Sequence, residues 1–327
     1  MNPPDKALQP HKPALPATRP SIALALGGGG ARGLAHILML EVFDELGLKP
    51  KVIAGTSIGA LFGAAYASGL SARLIKAHTE EMLSQRFGIA RYLLSARSEP
   101  VFKFLNVLPL RSSLLEPGVL LDLMLPSKVA RDFADLAIPL KVVATDFYAQ
   151  EQMVIDQGDL RTAVAASMAL PALFTPVTRD GRVLMDGGLV NPLPFDVLNG
   201  AADVTVAIDV SGASLGPGKR LQPTAFAALV SSSQILQRSI VREKLKAQQP
   251  DIYIDVEVDE FHVLEFHRFE QVLTAAGRAK EQLKRQLDRV LTSHSAEMLP
   301  AAEAHSSHAP RKKRLTSLKR LTRRRPA

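Results

Sequence analysis

The chain has 327 residues, 46% of them hydrophobic, enough to bury the core of one large α/β domain. It contains no cysteine, which excludes disulfides and thiolate metal sites. Its formal charge of +8 sits at one end: removing the nine Lys and Arg between Arg311 and Arg325 from the 40 basic residues leaves 31 against 32 acidic ones, and so neutral a body argues against a nucleic-acid-binding domain.

In chain order, residues 1–20 hold six prolines and read as a disordered leader. The start lacks the basic residues and apolar run of a secretory signal, and no stretch offers 18 clean apolar residues, so a cytoplasmic protein is expected. Ser21–Leu26 is a short apolar run bounded by glycines, the pattern of a buried parallel strand. Gly27–Gly30 predicts a turn, and Leu34–Leu46 a helix ended by Gly47. The unit repeats as a strand at Lys51–Ala54, a turn at Gly55–Gly59 and a helix at Ala60–Ser68. Residues 90–125 are apolar but broken by prolines and arginines, which fits helical packing over the core or a lid or acyl-chain wall. Further strands are expected at Leu140–Thr145, Met153–Ile155, Val183–Met185 and Val204–Val210, and helices at Thr162–Ser167, Thr224–Leu245 and Arg268–Leu291. This alternation predicts an α/β fold with a largely parallel sheet. From about Ser293 the chain reads as a disordered tail.

Three motifs carry chemistry. Gly28-Gly29-Gly30-Ala31-Arg32-Gly33 lies between a strand and a helix, where glycine N–H groups and a helix N-terminus can receive an anion. The anion could be a nucleotide pyrophosphate or the oxyanion of ester hydrolysis. A dinucleotide fold also wants an acidic residue at the end of the second strand, and Ala54-Gly55-Thr56-Ser57 has none. Gly55-Thr56-Ser57-Ile58-Gly59 is a G-x-S-x-G on a strand-to-helix turn, the setting of a nucleophile elbow, although Ser57 could equally be a helix cap. Val183-Leu184-Met185-Asp186-Gly187-Gly188 ends a strand with a carboxylate beside flexible backbone, or is a plain Asp-Gly turn. Of the eight histidines, only His262 and His267 stand where a Ser–Asp–His order would want a base, and neither lies on an obvious strand-end loop.

Taken in this order and spacing, the three motifs resemble the patatin-like phospholipase family, including its bacterial and neuropathy-target-esterase-like members. Ile138–Asp146, Ala165–Pro171 and Asp186–Pro194 extend the resemblance, which covers roughly residues 21–285 and leaves 286–327 as the end of a C-terminal helix and a basic tail. The resemblance implies a three-layer α/β/α sandwich and a serine-dependent lipid acyl hydrolase. It implies Ser57 as nucleophile, Asp186 as base and an oxyanion hole around Gly28, Gly29 and Gly30. Arg32 would assist by charge or by fixing the loop, unless it is simply a salt bridge on the first helix turn. Gly33, Gly55, Gly59, Gly187 and Gly188 would support the motifs. No metal or cofactor is implied. A dinucleotide-binding oxidoreductase and a non-catalytic protein on the same fold are the competing readings.

Residues 311–325 set leucines at positions 315, 318 and 321 among nine basic groups. Such a segment fits peripheral contact with an anionic membrane, a solvated tail or, less well, nucleic acid.

Overall fold

The computed structural model describes residues 19–85, 116–171, 173–212, 222 and 225–297. The leader, most of the broken apolar region and the basic segment therefore lie outside the described residues.

Strands β1 (Ile22–Leu26), β2 (Val52–Thr56), β3 (Leu140–Asp146), β4 (Glu151–Ile155), β5 (Val177–Arg179), β6 (Arg182–Asp186), β7 (Val204–Asp209) and β8 (Ile252–Asp255) form one sheet. Its order is β5-β6-β3-β2-β1-β7-β8, with β4 also pairing β3. The pairs β1–β2, β2–β3, β1–β7 and β7–β8 are parallel. The antiparallel pairs β3–β4, β3–β6 and β5–β6 gather at one end. Every residue of β1 and β2 is buried, as an inner strand covered on both faces requires.

Helices are α1 (His36–Glu45), α2 (Ile58–Ala67), α3 (Ala72–Gln85), α4 (Pro117–Met124), α5 (Leu160–Ser167), α6 (Ala225–Ala247) and α7 (Phe269–Glu297). Alternation along β1 divides them into two layers. Ile22, Leu24 and Leu26 point into the larger cluster, with Leu40 of α1, Phe62 of α2, Leu160 of α5 and Leu283 of α7. Ala23 and Ala25 point the other way, against Leu193, Phe195 and Val241 of α6. The result is the expected three-layer α/β/α sandwich, with one thick layer and one thin.

The inner strands and the long helices fall where the apolar runs place them. Between β1 and α1, however, Gly30–Ala35 is a 3-10 helix rather than part of one α-helix. Leu287 is fully buried in the larger cluster, so the packed body reaches beyond residue 285. Lys280 bonds Glu41 and Glu45, and Lys284 bonds Glu45, which clamps α7 across α1.

Candidate active site

The glycine-rich segment and Ser57 follow adjacent parallel strands, with Leu26 opposite Gly55 in register. Strand β3 carries the third motif to the same end, since Thr56 pairs with Val143 and Ala144 with Asp186. The C-terminal ends of parallel strands are where open α/β sheets form sites, and here three separate motifs meet there.

Ser57 occupies the turn from β2 into α2 with φ 54° and ψ −122°. Positive φ at a residue with a β-carbon stores strain and marks the elbow geometry. Close approach makes the turn possible: a Cβ on Gly59 would stand 2.2 Å from the Leu26 carbonyl oxygen. The Ser57 N–H donates to Ser167 Oγ at 2.8 Å, and Ser167 donates to the Val143 carbonyl at 2.6 Å. Ser57 Oγ donates to Asp186 Oδ2 at 2.7 Å. Ser57 stands at the N-cap position of α2, but its side chain makes no capping bond and turns to Asp186 instead.

Asp186 ends β6 and is 3% exposed. Its Oδ1 accepts the Gly188 N–H at 2.7 Å, and Thr145 Oγ1 donates to its carbonyl at 2.8 Å. Burial raises its carboxyl from 3.8 to about 6, against the hydrogen bonds from Ser57 and Gly188 that favour the charged form. At neutral pH it is an ionised base far closer to working pH than an exposed aspartate.

In the glycine-rich segment the Gly27 N–H donates to Ile208, Gly28 to Pro192 and Ala31 to Val263, all backbone carbonyls within 3.0 Å. Between these anchors, the N–H groups of Gly29 and Gly30 have no protein acceptor among the described residues. Gly28, Gly29 and Gly30 all line the cleft beside Ser57. Gly28 therefore shapes the cleft, but its N–H is committed elsewhere and is not open to an oxyanion. Arg32 departs from expectation as well. It is buried behind the loop, does not line the cleft, and Nε donates to the Gly29 carbonyl at 3.4 Å. Burial and the neighbouring Arg238 lower its pKa to about 10, while Asp209 and Asp259 act in the opposite sense. Because it holds the oxygen side of the Gly29–Gly30 peptide, the N–H on the other side is turned away from it. Arg32 thus braces the loop from behind and does not face the cleft.

Below the loop, His36 lies buried with Nε2 2.8 Å from the Gly27 carbonyl. Burial lowers its pKa to about 4, so the ring is neutral and Nε2–H is the donor. His262 and His267 are both exposed, and neither is bonded to Ser57 or Asp186. Sequence reasoning missed Ser167 and His36 as supports. It also missed Lys244 of α6, which donates to Asn191 Oδ1, the Leu193 carbonyl and Asp196 Oδ1 and so ties the loop after Asp186 to α6. No spacing signals such contacts, because each partner comes from a different part of the chain.

The cleft has an empty volume of about 690 Å³ including its mouth. Met168, Leu170, Leu173, Phe174, Val263 and Phe266 supply an apolar part of the lining, and α6 adds Val230, Ser233, Gln234 and Gln237. A serine hydroxyl donating to a buried carboxylate, beside two open N–H groups, is the equipment of a nucleophilic acyl-transfer site. The patatin-like phospholipase family model matches residues 24–199, a span that holds all three motifs. The chain belongs to that family.

The chain is also similar to an uncharacterized NTE family protein of Mycobacterium tuberculosis, 36% identical over 213 residues, which are 64% of this chain and 55% of that one. Patatin-like phospholipase domain-containing protein 6 of Homo sapiens is 32% identical over 278 residues, covering 77% of this chain and 19% of its own length. Protein 7 of the same name from Rattus norvegicus is 30% identical over 296 residues, covering 83% and 21%. The chain thus spans about half the length of the mycobacterial relative and about a fifth of the mammalian ones. Among solved structures, VipD from Legionella pneumophila aligns with a TM-score of 0.41 at 17% identity, over 86% of this chain and 68% of its own.

Proposed function

We propose that the protein is a serine-dependent lipid acyl hydrolase working through a Ser57–Asp186 dyad. The observation that carries this reading is the 2.7 Å hydrogen bond from a strained Ser57 hydroxyl to a buried carboxylate at the mouth of an apolar cleft. Ser57 Oγ attacks the ester carbonyl carbon while its proton passes to Asp186 Oδ2. The carbonyl oxygen becomes an oxyanion held by the N–H groups of Gly29 and Gly30. The carbon–oxygen bond to the alcohol then breaks, and Asp186 returns the proton to the leaving oxygen. Water attacks the acyl-serine next, gives its proton to Asp186, and the released Ser57 takes that proton back as the fatty acid departs. Removing one oxyanion donor typically costs about 3–4 kcal/mol of transition-state stabilisation, so the two glycine N–H groups bear much of the rate. The apolar wall suits an acyl chain, and patatin-like phospholipase family membership supports a lipid ester as substrate.

The test is covalent labelling with a fluorophosphonate together with turnover of a p-nitrophenyl acyl ester. Ser57→Ala should take no label and lose turnover, and Asp186→Asn should lose nearly all turnover while remaining folded. As members of one unit, the two changes together should be no worse than either alone. His262→Ala and His267→Ala serve as controls and should keep kcat within about twofold, since both side chains are exposed outside the dyad. An Asp186→Asn protein with substantial turnover, or a large kcat loss in a folded histidine variant, would overturn the dyad.

A further inference from the structure

Helix α6 contributes Val230 and the polar Ser233, Gln234 and Gln237 to the cleft lining. Ser233 and Gln237 stand one turn apart on its inner face, and Gln237 Nε2 donates to Ser233 Oγ at 3.2 Å. That bond leaves the Ser233 hydroxyl proton and Gln237 Oε1 without a hydrogen-bond partner among the described residues. One donor and one acceptor, side by side and neutral, complement a hydroxyl group.

Their place in the cleft says which part of a substrate they meet. A Cβ on Gly188 would stand 2.8 Å from Gln237 Nε2 and 3.0 Å from Asp186 Oδ1. The amide therefore packs over the glycine whose N–H holds the carboxylate, on the Asp186 side of Ser57. Asp186 is the group that returns a proton to the leaving oxygen, so the alcohol half of an ester departs past Gln237. The acyl half is left the apolar lining of Met168, Leu170, Leu173 and Phe174. Among the described residues, no Lys, Arg or His lines the cleft. Ser233 and Gln237 are both neutral, so this part of the lining suits an uncharged oxygen.

We propose that Ser233 and Gln237 determine specificity for the leaving alcohol by hydrogen-bonding a free hydroxyl on the carbon adjacent to the one that bears the ester oxygen, as in a 1-monoester of glycerol. The assignment rests on the hydrolase reading above.

The experiment compares kcat/KM for a glycerol 1-monoester and for the 1,3-propanediol monoester of the same fatty acid, which lacks only that hydroxyl. The full-length protein should prefer the glycerol ester by about tenfold or more, the scale of one or two neutral hydrogen bonds. Gln237→Met, which keeps length and volume, should bring the ratio to within about threefold of unity, and so should Ser233→Ala, which favours the helix. Adding a phosphate to the far hydroxyl of the glycerol ester should bring no tenfold gain. A wild-type ratio near one overturns the assignment. So do variants that keep the wild-type ratio, including any that lose both substrates in parallel, and so does a large gain from phosphate. If the wild-type protein cleaves neither ester and Ser57 takes no fluorophosphonate, the hydrolase reading fails and this one falls with it. Turnover without preference for the hydroxyl removes only the role of α6.

Discussion

In the dyad proposed above, Asp186 governs both the pH dependence and part of the stability. It would accept the Ser57 proton only when ionised, and burial pushes its carboxyl up to about 6. kcat/KM on a small ester should therefore fall about tenfold per unit below pH 6 and level off above it. Asp255 also titrates at about 6, through burial and the nearby Asp209, so the control is Asp255→Asn, in which the acidic limb should persist. For stability the sign is the reverse of the usual aspartate. A raised folded-state value means the folded protein binds this proton more tightly than the unfolded chain, so stability drops as pH climbs from 3.8 through about 6. Asp186→Asn should consequently melt higher than the wild type at pH 8, by up to about 3 kcal/mol of stability, with the gain fading toward pH 4. An unchanged difference in melting temperature between pH 4 and pH 8 would remove Asp186 from this account. Ser167 acts one bond further out. Ser167→Ala leaves the Ser57 N–H without its acceptor and loosens the elbow, so kcat should drop about 10- to 100-fold with little change in KM. The acidic limb should stay near 6, because the carboxylate's own surroundings are untouched.

At the scale of elements, the sequence is most legible where burial is complete. Ile22–Leu26 is apolar throughout and Val204–Asp209 nearly so, broken by Thr205 and the closing Asp209, because the sheet is covered on both faces there, and their runs stand out. Helices α6 and α7 are long enough for their period to show, and both extend a few residues past the expected ends. Strand β8 was not expected. It is four residues long and mixes apolar with polar residues: Tyr253 packs against the smaller apolar cluster while its hydroxyl donates to Asp209. Strand β5 is three residues at the sheet edge and depends on pairing with β6. Ser57 and Asp186 were readable because each closes a strand with glycines around it. The division of the glycine-rich segment into committed and open N–H groups was not, since Pro192, Ile208 and Val263 supply the acceptors from distant positions. Helix α6 shows the same limit. Its apolar period is visible, yet that it turns Ser233 and Gln237 toward the cleft and Leu229, Ile235 and Leu236 outward emerges only on folding.

Across the whole molecule, charge is separated from chemistry. The body is close to neutral, and nine basic residues are confined to positions 311–325. Among the described residues, no helix is long and apolar enough to cross a membrane. If the basic segment holds the protein to anionic lipid, deleting residues 309–327 should weaken cosedimentation with anionic vesicles at low salt. Raising salt should weaken the full-length protein in the same way, through screening. Turnover of a soluble aryl ester should be unchanged by the deletion, since the dyad and cleft lie elsewhere. Equal vesicle binding by both proteins at low salt would leave the segment without this role.

The bond from Ala31 to the Val263 carbonyl has a further consequence, one of timing. The elbow and the glycine-rich segment are synthesised well before Val263, the brace that shapes that segment. Gly30 also packs directly on Val263, where a Cβ would stand 2.4 Å from the carbonyl oxygen. A nascent chain can thus fold its first β-α-β unit with the nucleophile exposed and the oxyanion donors still unformed. On the hydrolase reading proposed above, a chain that stops short of Val263 would carry Ser57 without the brace that shapes its oxyanion donors.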